Sequence, residues 1–118
     1  MSKKVGDLGQ LIAASYLEKS AYQVIPQNVR SGRAEADLIA IYDNTLIVIE
    51  VKSSYTEFSM IELIHKIKRA QFARLIKVGT HQLAKHSDLT ELRIDVIGVW
   101  LGQISPRIWH LNDISLYI

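Results

Sequence analysis

The sequence predicts an α/β (α+β) protein with one mixed central sheet flanked by helices, in the order α-β-β-β-α-β-β. Two observations carry this prediction. Apolar residues recur at helical spacing near the start of the chain and again after residue 59, and the segments between and after these helices are short, apolar and rich in Val and Ile. Because the apolar runs are nearly continuous, the strands are expected to be covered on both faces.

The first helix is predicted over residues 5–20, where apolar residues recur at helical spacing. Its apolar stripe consists of Val5, Leu8, Ile12 and Tyr16. A second stripe is made mostly of small residues, so this face is expected to pack closely on a neighbouring element: Gly6, Gln10, Ala13, Ala14, Leu17 and Ala21.

The first strands surround a tight turn. Residues 22–29 indicate a strand whose proline places it at a sheet edge or a strand end. Residues 30–35 indicate a basic loop. Residues 36–42 and 45–54 are predicted as two strands, joined into a hairpin by the turn-forming Asp-Asn pair between them.

The second half of the chain begins with a long helical pattern over about 59–85, in which a break is expected near Gly79. Residues 91–102 then indicate another strand, and residues 106–111 a short final one.

Composition narrows the classes of function. The 118 residues are expected to form a single domain, 1–118. The absence of Cys excludes disulfide and zinc–thiolate chemistry. Neither a signal peptide nor a long apolar span is found, so a cytoplasmic location with no membrane partner is expected. A net charge of +2 permits nucleic acid as a partner without requiring it.

Four charged residues interrupt the apolar hairpin: Glu35, Asp37, Glu50 and Lys52. Charges in a buried strand cost free energy unless they are paired or bind a metal. Strand residues two positions apart share a face, so the hairpin is expected to bring three carboxylates and one ammonium onto one surface.

Such a cluster suits Mg²⁺ or Mn²⁺, with Asp37 and Glu50 as ligands and the Val51 backbone carbonyl as a third. Lys52 would lie beside a metal-bound water and hold it or help to deprotonate it, which serves phosphodiester hydrolysis. Glu-x-Lys alone is more often a solvated ion pair. The acid on the preceding strand and the hairpin turn make the joint pattern more specific.

Asp37 followed by Glu50-x-Lys52 resembles the PD-(D/E)XK nuclease signature. The ordered motifs resemble the YraN-like uncharacterised family of that superfamily, which is distantly similar to archaeal Holliday-junction resolvases. They span nearly the whole chain: GDLGQ, QNVR, AEADLIA, IVIEVKSS, HKIKRAQF, RIDVIGV and IWHLNDI. The resemblance implies a restriction-endonuclease-like core with its acidic site on the central hairpin. It also implies a DNA endonuclease, with branched DNA as substrate and a homodimer for cutting two strands.

The resemblance marks two residues outside the hairpin. Gln10 stands where the family has a Glu, and a neutral side chain binds a cation less well and cannot act as a carboxylate base. Lys68 matches a helix Lys of the family. It interrupts an apolar stripe, so a role at the carboxylate site or on a substrate phosphate is weighed evenly against a lysine that only extends to solvent. The stripe is Ile61, Ile64, Phe72, Leu75, Gly79 and Leu83.

Other polar residues are given structural or binding roles. Arg93 and Asp95 share a strand face and are expected to form an ion pair, and His110 is expected to be a hydrogen-bonded structural residue. The long helix also has a basic face, either simply solvated or in contact with a phosphate backbone. The candidate nucleic-acid-binding residues are Arg30, Arg33, Lys66 and Arg69.

The function expected is that of a nucleic-acid-binding, metal-dependent endonuclease that hydrolyses DNA phosphodiester bonds. Its catalytic residues would be Asp37, Glu50 and Lys52, assisted by Glu35 and Lys68. Two alternatives stay open: a catalytically weak or inactive DNA-binding or assembly module on the nuclease scaffold, which Gln10 favours, and a structural partner in a larger DNA-processing complex.

Overall fold

The computed structural model describes residues 3–25, 29–32, 34–102 and 104–118, with helices on both faces of a five-stranded sheet. The helices are α1 (Lys3–Lys19), α2 (Met60–His65) and α3 (Arg69–Leu83), followed near the end of the chain by a 3₁₀ turn, Ile114–Leu116. The strands are β1 (Gln23–Ile25), β2 (Val29–Ser31), β3 (Ala34–Ala36), β4 (Leu38–Tyr42), β5 (Thr45–Ser54), β6 (Glu91–Trp100) and β7 (Arg107–Leu111).

The main sheet has the order β1-β4-β5-β6-β7 and is mixed, as predicted. Its one parallel pairing joins β5 to β6 along all ten residues of each, from Thr45 opposite Glu91 to Ser54 opposite Trp100. The other pairings are antiparallel. A mixed sheet flanked by helices is compatible with the restriction-endonuclease-like core that the sequence indicates. Its central strand, β5, carries Glu50 and Lys52.

The hairpin turn is confirmed at Asp43 and Asn44, which lie between the paired residues Tyr42 and Thr45. Both turn residues adopt left-handed backbone conformations, with φ of 48° and 62°. Asp and Asn tolerate this conformation better than other non-glycine residues, and it matches the twist of the flanking strands. The turn therefore fixes the register that puts Asp37 and Glu50 at the same end of the β4–β5 pair.

Helix α1 packs on one face of the sheet through a narrow row of small residues. Its buried residues are Gly9, Ala13 and Leu17, whereas Leu8 of the predicted apolar stripe is 42% exposed. A Cβ at Gly9 would overlap the hydroxyl of Ser53 on β5. The expectation of close packing through small residues is confirmed, and the buried row begins at Gly9, which the predicted stripe omits.

The opposite face of the sheet is covered by α2 and α3. The long helix predicted over 59–85 is interrupted at Lys66–Lys68 and not near Gly79. At the interruption Ile67 is buried and Lys68 is extended, with φ −93° and ψ 152°. Gly79 lies inside α3, where a Cβ would come within 2.6 Å of Leu92, so this glycine permits close packing on β6 and does not end the helix.

Two of the early strand predictions are wrong in their extent. The strand predicted over 22–29 is divided between β1 and β2, which belong to different sheets, and residues 26–28 lie outside the described part of the chain. The predicted basic loop contains a two-stranded antiparallel sheet of β2 and β3, with Gly32 in a left-handed conformation between them. The strand predicted over 36–42 begins only at Leu38, because the chain bends at Asp37.

Apolar residues fill both layers between the sheet and its helices, which confirms that the strands are covered on both faces. On the α1 side the core includes Leu17, Ile49 and Ile97, and on the α3 side Val48 and Leu75. Within the described residues, no helix combines the length and the apolar character needed to span a bilayer.

Candidate metal centre

Asp37 lies where β4 separates from β5. The last β4 residue that pairs with β5 is Leu38, opposite Ile49. Beyond this point the Asp37 carboxylate takes the place of a strand partner, because its Oδ2 accepts a 2.8 Å hydrogen bond from the backbone N–H of Val51. The other oxygen, Oδ1, accepts a 3.1 Å bond from the side-chain amide of Gln10. The bend therefore holds one carboxylate between α1 and β5.

Glu50 reaches the same place from β5. Its Oε2 accepts a 2.7 Å hydrogen bond from Nε2 of Gln71 in the first turn of α3, and lies 3.1 Å from Nζ of Lys52. Only 12% of the Glu50 side chain and 23% of the Lys52 side chain are exposed. This ion pair is thus partly shielded from water, unlike the solvated pairs that contribute little.

The two carboxylates act on each other. Burial raises the pKa of Asp37 from 3.8 to about 7, and the negative charge of Glu50 adds to that rise. The Val51 N–H and the Lys52 ammonium work in the opposite direction but do not cancel it. A hydrogen bond that the protonated Asp37 carboxyl can make to Glu50 raises the pKa of Asp37 further. Two acidic groups that share one partly buried site carry more negative charge than their protein donors neutralise.

The residues present fit a hard divalent cation. Mg²⁺ takes one or two carboxylates and completes its shell with waters and substrate oxygens. In an extended strand the N–H and C=O of one residue point to the same edge, so the Val51 carbonyl faces the side on which its N–H binds Asp37. Asp37, Glu50 and the Val51 carbonyl therefore offer the kind of oxygen donors that such a cation takes, and a cation would offset the negative charge of the two carboxylates.

The structure does not bring Glu35 into this site. It lies exposed on β3, in the separate two-stranded sheet, and the bend at Asp37 breaks the alternation that was expected to align the two side chains. Within the described residues no group of three acidic, His or Cys side chains could hold a metal. The expected surface of three carboxylates is wrong, and the acidic part of the site is the pair Asp37 and Glu50.

Gln10 is an interior part of the site. It projects from the turn of α1 that carries Gly9, the residue whose missing side chain lets α1 approach β5. The Gln10 amide donates to Asp37, so it stabilises the carboxylate without adding a negative charge. A Glu at this position would place a third carboxylate beside Asp37.

The basic candidates lie at the junction of α2 and α3. Lys66, Lys68 and Arg69 are all exposed, and Lys68 is the residue that precedes the first turn of α3. Lys68 does not interrupt an apolar helical stripe, as the sequence predicted, because α2 ends before it and α3 begins after it. Of the two loop candidates, Arg33 lies outside the described residues, and for Arg30 only the backbone position in β2 is described.

Sequence reasoning missed Gln71. It lies three residues after Lys68, inside the quoted HKIKRAQF segment, and it is the α3 residue that contacts Glu50. A neutral polar residue on a helix gives no periodic signal, so the spacing could not single it out. The available clue was a half-buried polar position in the first turn of a helix that packs over the charged strand.

A second buried acid, Asp95 on β6, lies on the α1 side of the sheet and is fully paired. Arg93 donates to both of its oxygens at 2.9 Å, and the Asp113 N–H donates at 2.8 Å. His110 Nε2 lies 2.8 Å from Oδ2, and its Nδ1 lies 2.8 Å from the Tyr16 hydroxyl on α1. The predicted Arg93–Asp95 ion pair and the hydrogen-bonded His110 are confirmed.

The electrostatics of Asp95 are opposite to those of Asp37. Burial pushes its pKa upward, but the hydrogen bonds from His110, Arg93 and Asp113 outweigh burial and lower the pKa. Asp95 is therefore an ionised acceptor, so His110 must donate through Nε2, and a neutral His110 accepts the Tyr16 proton at Nδ1. The network ties α1 to β6 and to the segment that follows β7.

Comparison with known proteins places the chain in a family. The model of "Uncharacterised protein family UPF0102" matches residues 9–99. The chain belongs to the UPF0102 family.

This confirms the YraN-like resemblance. A UPF0102 protein of Caldanaerobacter subterraneus subsp. tengcongensis is 43% identical to the chain over 114 residues, covering 95% of the chain and 92% of the relative. UPF0102 proteins of Christiangramia forsetii and Herpetosiphon aurantiacus are 32% and 33% identical, each covering 97% of the chain and 95% of the relative. Each of these alignments spans nearly the whole of the chain and of the relative.

Proposed function

We propose that this UPF0102 protein is a divalent-metal-dependent endonuclease that hydrolyses phosphodiester bonds in DNA. The observation that carries the proposal is the pair of partly buried carboxylates, Asp37 and Glu50, with the Lys52 ammonium beside them. Burial and the negative charge of Glu50 disfavour ionisation of Asp37, and a cation at this place would favour it. The same pattern forms the nuclease signature that the sequence resembles.

Each side chain has a distinct part in the proposed reaction. Mg²⁺ or Mn²⁺ would supply a Lewis acid for the scissile phosphate and lower the pKa of an attacking water. Asp37 and Glu50 would hold the ion, together with the Val51 carbonyl. Lys52, which already lies 3.1 Å from Glu50, would orient the water and stabilise charge that develops on the phosphate.

Two glutamines position these acids. The Gln71 amide fixes the Glu50 carboxylate from α3, and the Gln10 amide fixes the Asp37 carboxylate from α1. Carboxylates held from two different helices keep one geometry, which a metal site needs for efficient catalysis. Neither glutamine can act as a base, and the Lys52 ammonium has no lone pair to accept a proton, so the proton of the attacking water would pass to a substrate phosphate oxygen or to bulk water.

The nucleic acid would approach from the α3 side. The start of α3 carries Gln71 against Glu50, and exposed Lys68 and Arg69 lie just before it. The N-terminus of a helix attracts phosphate through its unpaired N–H groups and its dipole, and lysine and arginine add a salt-dependent attraction. Together with Lys66 these residues would bind the DNA backbone close to the metal. A homodimer would supply two such sites for a branched substrate.

A second candidate function is a DNA-binding or assembly module without nuclease activity. The observation that favours it is Gln10, which stands in the site where the resembled family carries Glu. In this case Lys66, Lys68 and Arg69, at the junction of α2 and α3, would still bind DNA. The carboxylate pair would be a remnant of an ancestral site.

A cleavage assay separates the two functions. Purified protein is incubated with linear, flapped and four-way DNA in the presence of Mg²⁺ or Mn²⁺, and binding to the same DNA is measured by fluorescence polarisation. The nuclease should cut at least one substrate, and Glu50→Gln should reduce cutting by roughly a hundredfold or more because it removes a metal ligand. Glu91→Gln, an exposed Glu at the opposite end of the β5–β6 pair, is the matched control.

The negative result is also informative. If the wild-type protein binds the DNA but cuts none of it with either metal, the nuclease proposal fails and the module takes its place. The Gln10→Glu variant then tests whether Gln10 alone abolishes cleavage. If this variant cuts DNA, the remaining residues of the site are sufficient for catalysis.

A further inference from the structure

An open groove of about 870 Å³ runs along α1, on the side of the helix that faces β1. One wall is α1, and the other is the sheet edge formed by β1 and the start of β4. Four α1 residues spaced as one helical stripe face it, namely Asp7, Leu11, Ala14 and Glu18. The remaining lining residues are Gln10, Tyr22, Gln23, Val24 and Leu38.

The centre of the groove is apolar and open. Leu11 is 69% exposed, and among the described large apolar side chains only Leu116 and Ile104 are more exposed. Tyr22 lies beside it and stacks on Tyr42, with ring centroids 4.4 Å apart. A groove of this volume accommodates several large side chains, and its open apolar surface is of the kind that marks a binding site.

The ends of the groove are acidic. Asp7 and Glu18 are exposed and lie about 16 Å apart along α1, from the rise per residue of a helix. Among the described residues that line the groove, none is Lys or Arg. These carboxylates repel DNA phosphates, which disfavours DNA as the occupant of the groove. Two copies of the groove placed face to face would also set like charges against each other, which disfavours a symmetric dimer through this surface.

We propose that this groove docks a cationic amphipathic helix of a partner protein. Apolar side chains of the partner would cover Leu11 and Tyr22, and two Lys or Arg residues three helical turns apart would pair with Asp7 and Glu18. Helix-in-groove recognition uses this combination of an apolar stripe and flanking charges. The inference requires neither metal binding nor cleavage, so it stands or falls independently of the proposed nuclease activity.

Gln10 connects the groove to the metal centre. It lines the groove and also donates a hydrogen bond to Asp37. Gln71 contacts Glu50 from the other side of the sheet and does not line the groove. The side-chain amide signals of the two glutamines therefore distinguish the sites, because a helix in the groove should shift the signals of Gln10 and leave those of Gln71 in place.

The test uses the full-length protein and a fluorescein-labelled helical peptide with a leucine stripe and two lysines about 16 Å apart on its binding face. Fluorescence polarisation without DNA or metal should show saturable binding. Asp7→Lys combined with Glu18→Lys should weaken it by about tenfold or more, because each changed residue turns an attraction into a repulsion. The control reverses two exposed acids elsewhere, Asp88→Lys with Glu91→Lys, and should bind as the wild type does.

Three results would overturn the proposal: no saturable binding, equal weakening by the control pair, or peptide-induced shifts of Gln71 as large as those of Gln10. A fourth would replace the partner helix with a second copy of this chain. In that case sedimentation would show self-association of the wild-type protein, and Asp7→Lys with Glu18→Lys would abolish it.

Discussion

Asp95 is fully buried and Asp37 is partly buried, and the protein treats the two carboxyl groups in opposite ways. Asp95 receives donors from Arg93, His110 and the Asp113 backbone, and its pKa is lowered. Asp37 receives one backbone N–H and one neutral amide, faces Glu50, and its pKa rises to about 7. The first arrangement stabilises the fold, and the second leaves negative charge for a bound cation to balance.

The largest expected effect is on the Asp95 side of this comparison. Asp95→Ala leaves Arg93 without its carboxylate and removes the partner of His110, so the network between α1 and β6 is lost. Removing one member of a buried ion pair typically costs about 3–5 kcal/mol. The free energy of unfolding from urea denaturation should fall by this amount. A loss below about 1 kcal/mol would show that the network contributes no more than an exposed ion pair does.

The next substitution, Asp37→Asn, is expected to raise the free energy of unfolding and not to lower it. Because the pKa of Asp37 is raised in the folded state, the folded protein binds this proton more tightly than the unfolded chain does. The protonated Asp37 carboxyl therefore contributes to the stability of the fold below pH 3.8, and this contribution is lost as the pH rises through about 7. Asp37→Asn should therefore stabilise the metal-free protein at pH 8, by on the order of 1 kcal/mol, and should flatten the stability profile between the two pKa values.

The control for Asp37→Asn is the same measurement at a pH below 3.8, where the wild-type carboxyl is already protonated. There the substitution should have little effect. The Asp95 contribution runs the other way, since a lowered pKa gives stability that is lost as the pH falls. If Asp37→Asn destabilises the protein at pH 8, the protein stabilises the ionised Asp37 carboxylate as it does that of Asp95, which contradicts the prediction.

An effect of similar size, but destabilising, is expected at Gln71, which donates a hydrogen bond to the Glu50 carboxylate from a half-buried position. Gln71→Ala should cost about 1 kcal/mol in thermal or urea unfolding. Gln82→Ala, at another half-buried glutamine of α3, is the matched control and should cost less. If the two substitutions lower the free energy of unfolding equally, the hydrogen bond from Gln71 to Glu50 has no special stabilising role.

The main sheet and the position of its acids were predictable because local chemistry determines them. The Asp43–Asn44 turn sets the register of the hairpin, and the Glu50-x-Lys52 spacing puts both side chains on one face of β5. The bend at Asp37 was not predictable from strand alternation, because it depends on a hydrogen bond to Val51, fourteen residues away. For this reason the alignment expected of Glu35 with Asp37 failed.

The other errors have similar causes. The interruption between α2 and α3 contains neither Pro nor Gly, and it arises where Ile67 turns into the core. Gly79 was expected to end the helix. Instead, its lack of a side chain allows α3 to pack closely against Leu92, on a strand that comes later in the chain. Gln71 and the groove along α1 both depend on packing between distant segments. Such features follow from tertiary structure and leave no periodic trace in the sequence.

At the proposed metal centre Asp37 is left for a cation to neutralise, whereas the protein's own donors satisfy Asp95. The most direct measurement is a pH titration of the carboxyl carbon signals of both residues by NMR, with and without Mg²⁺. We predict that Asp37 titrates near pH 7 without metal, that Mg²⁺ moves its midpoint to lower pH, and that Asp95 titrates below the ordinary range and ignores the metal. An Asp37 that titrates near 4 and does not respond to Mg²⁺ would contradict the account.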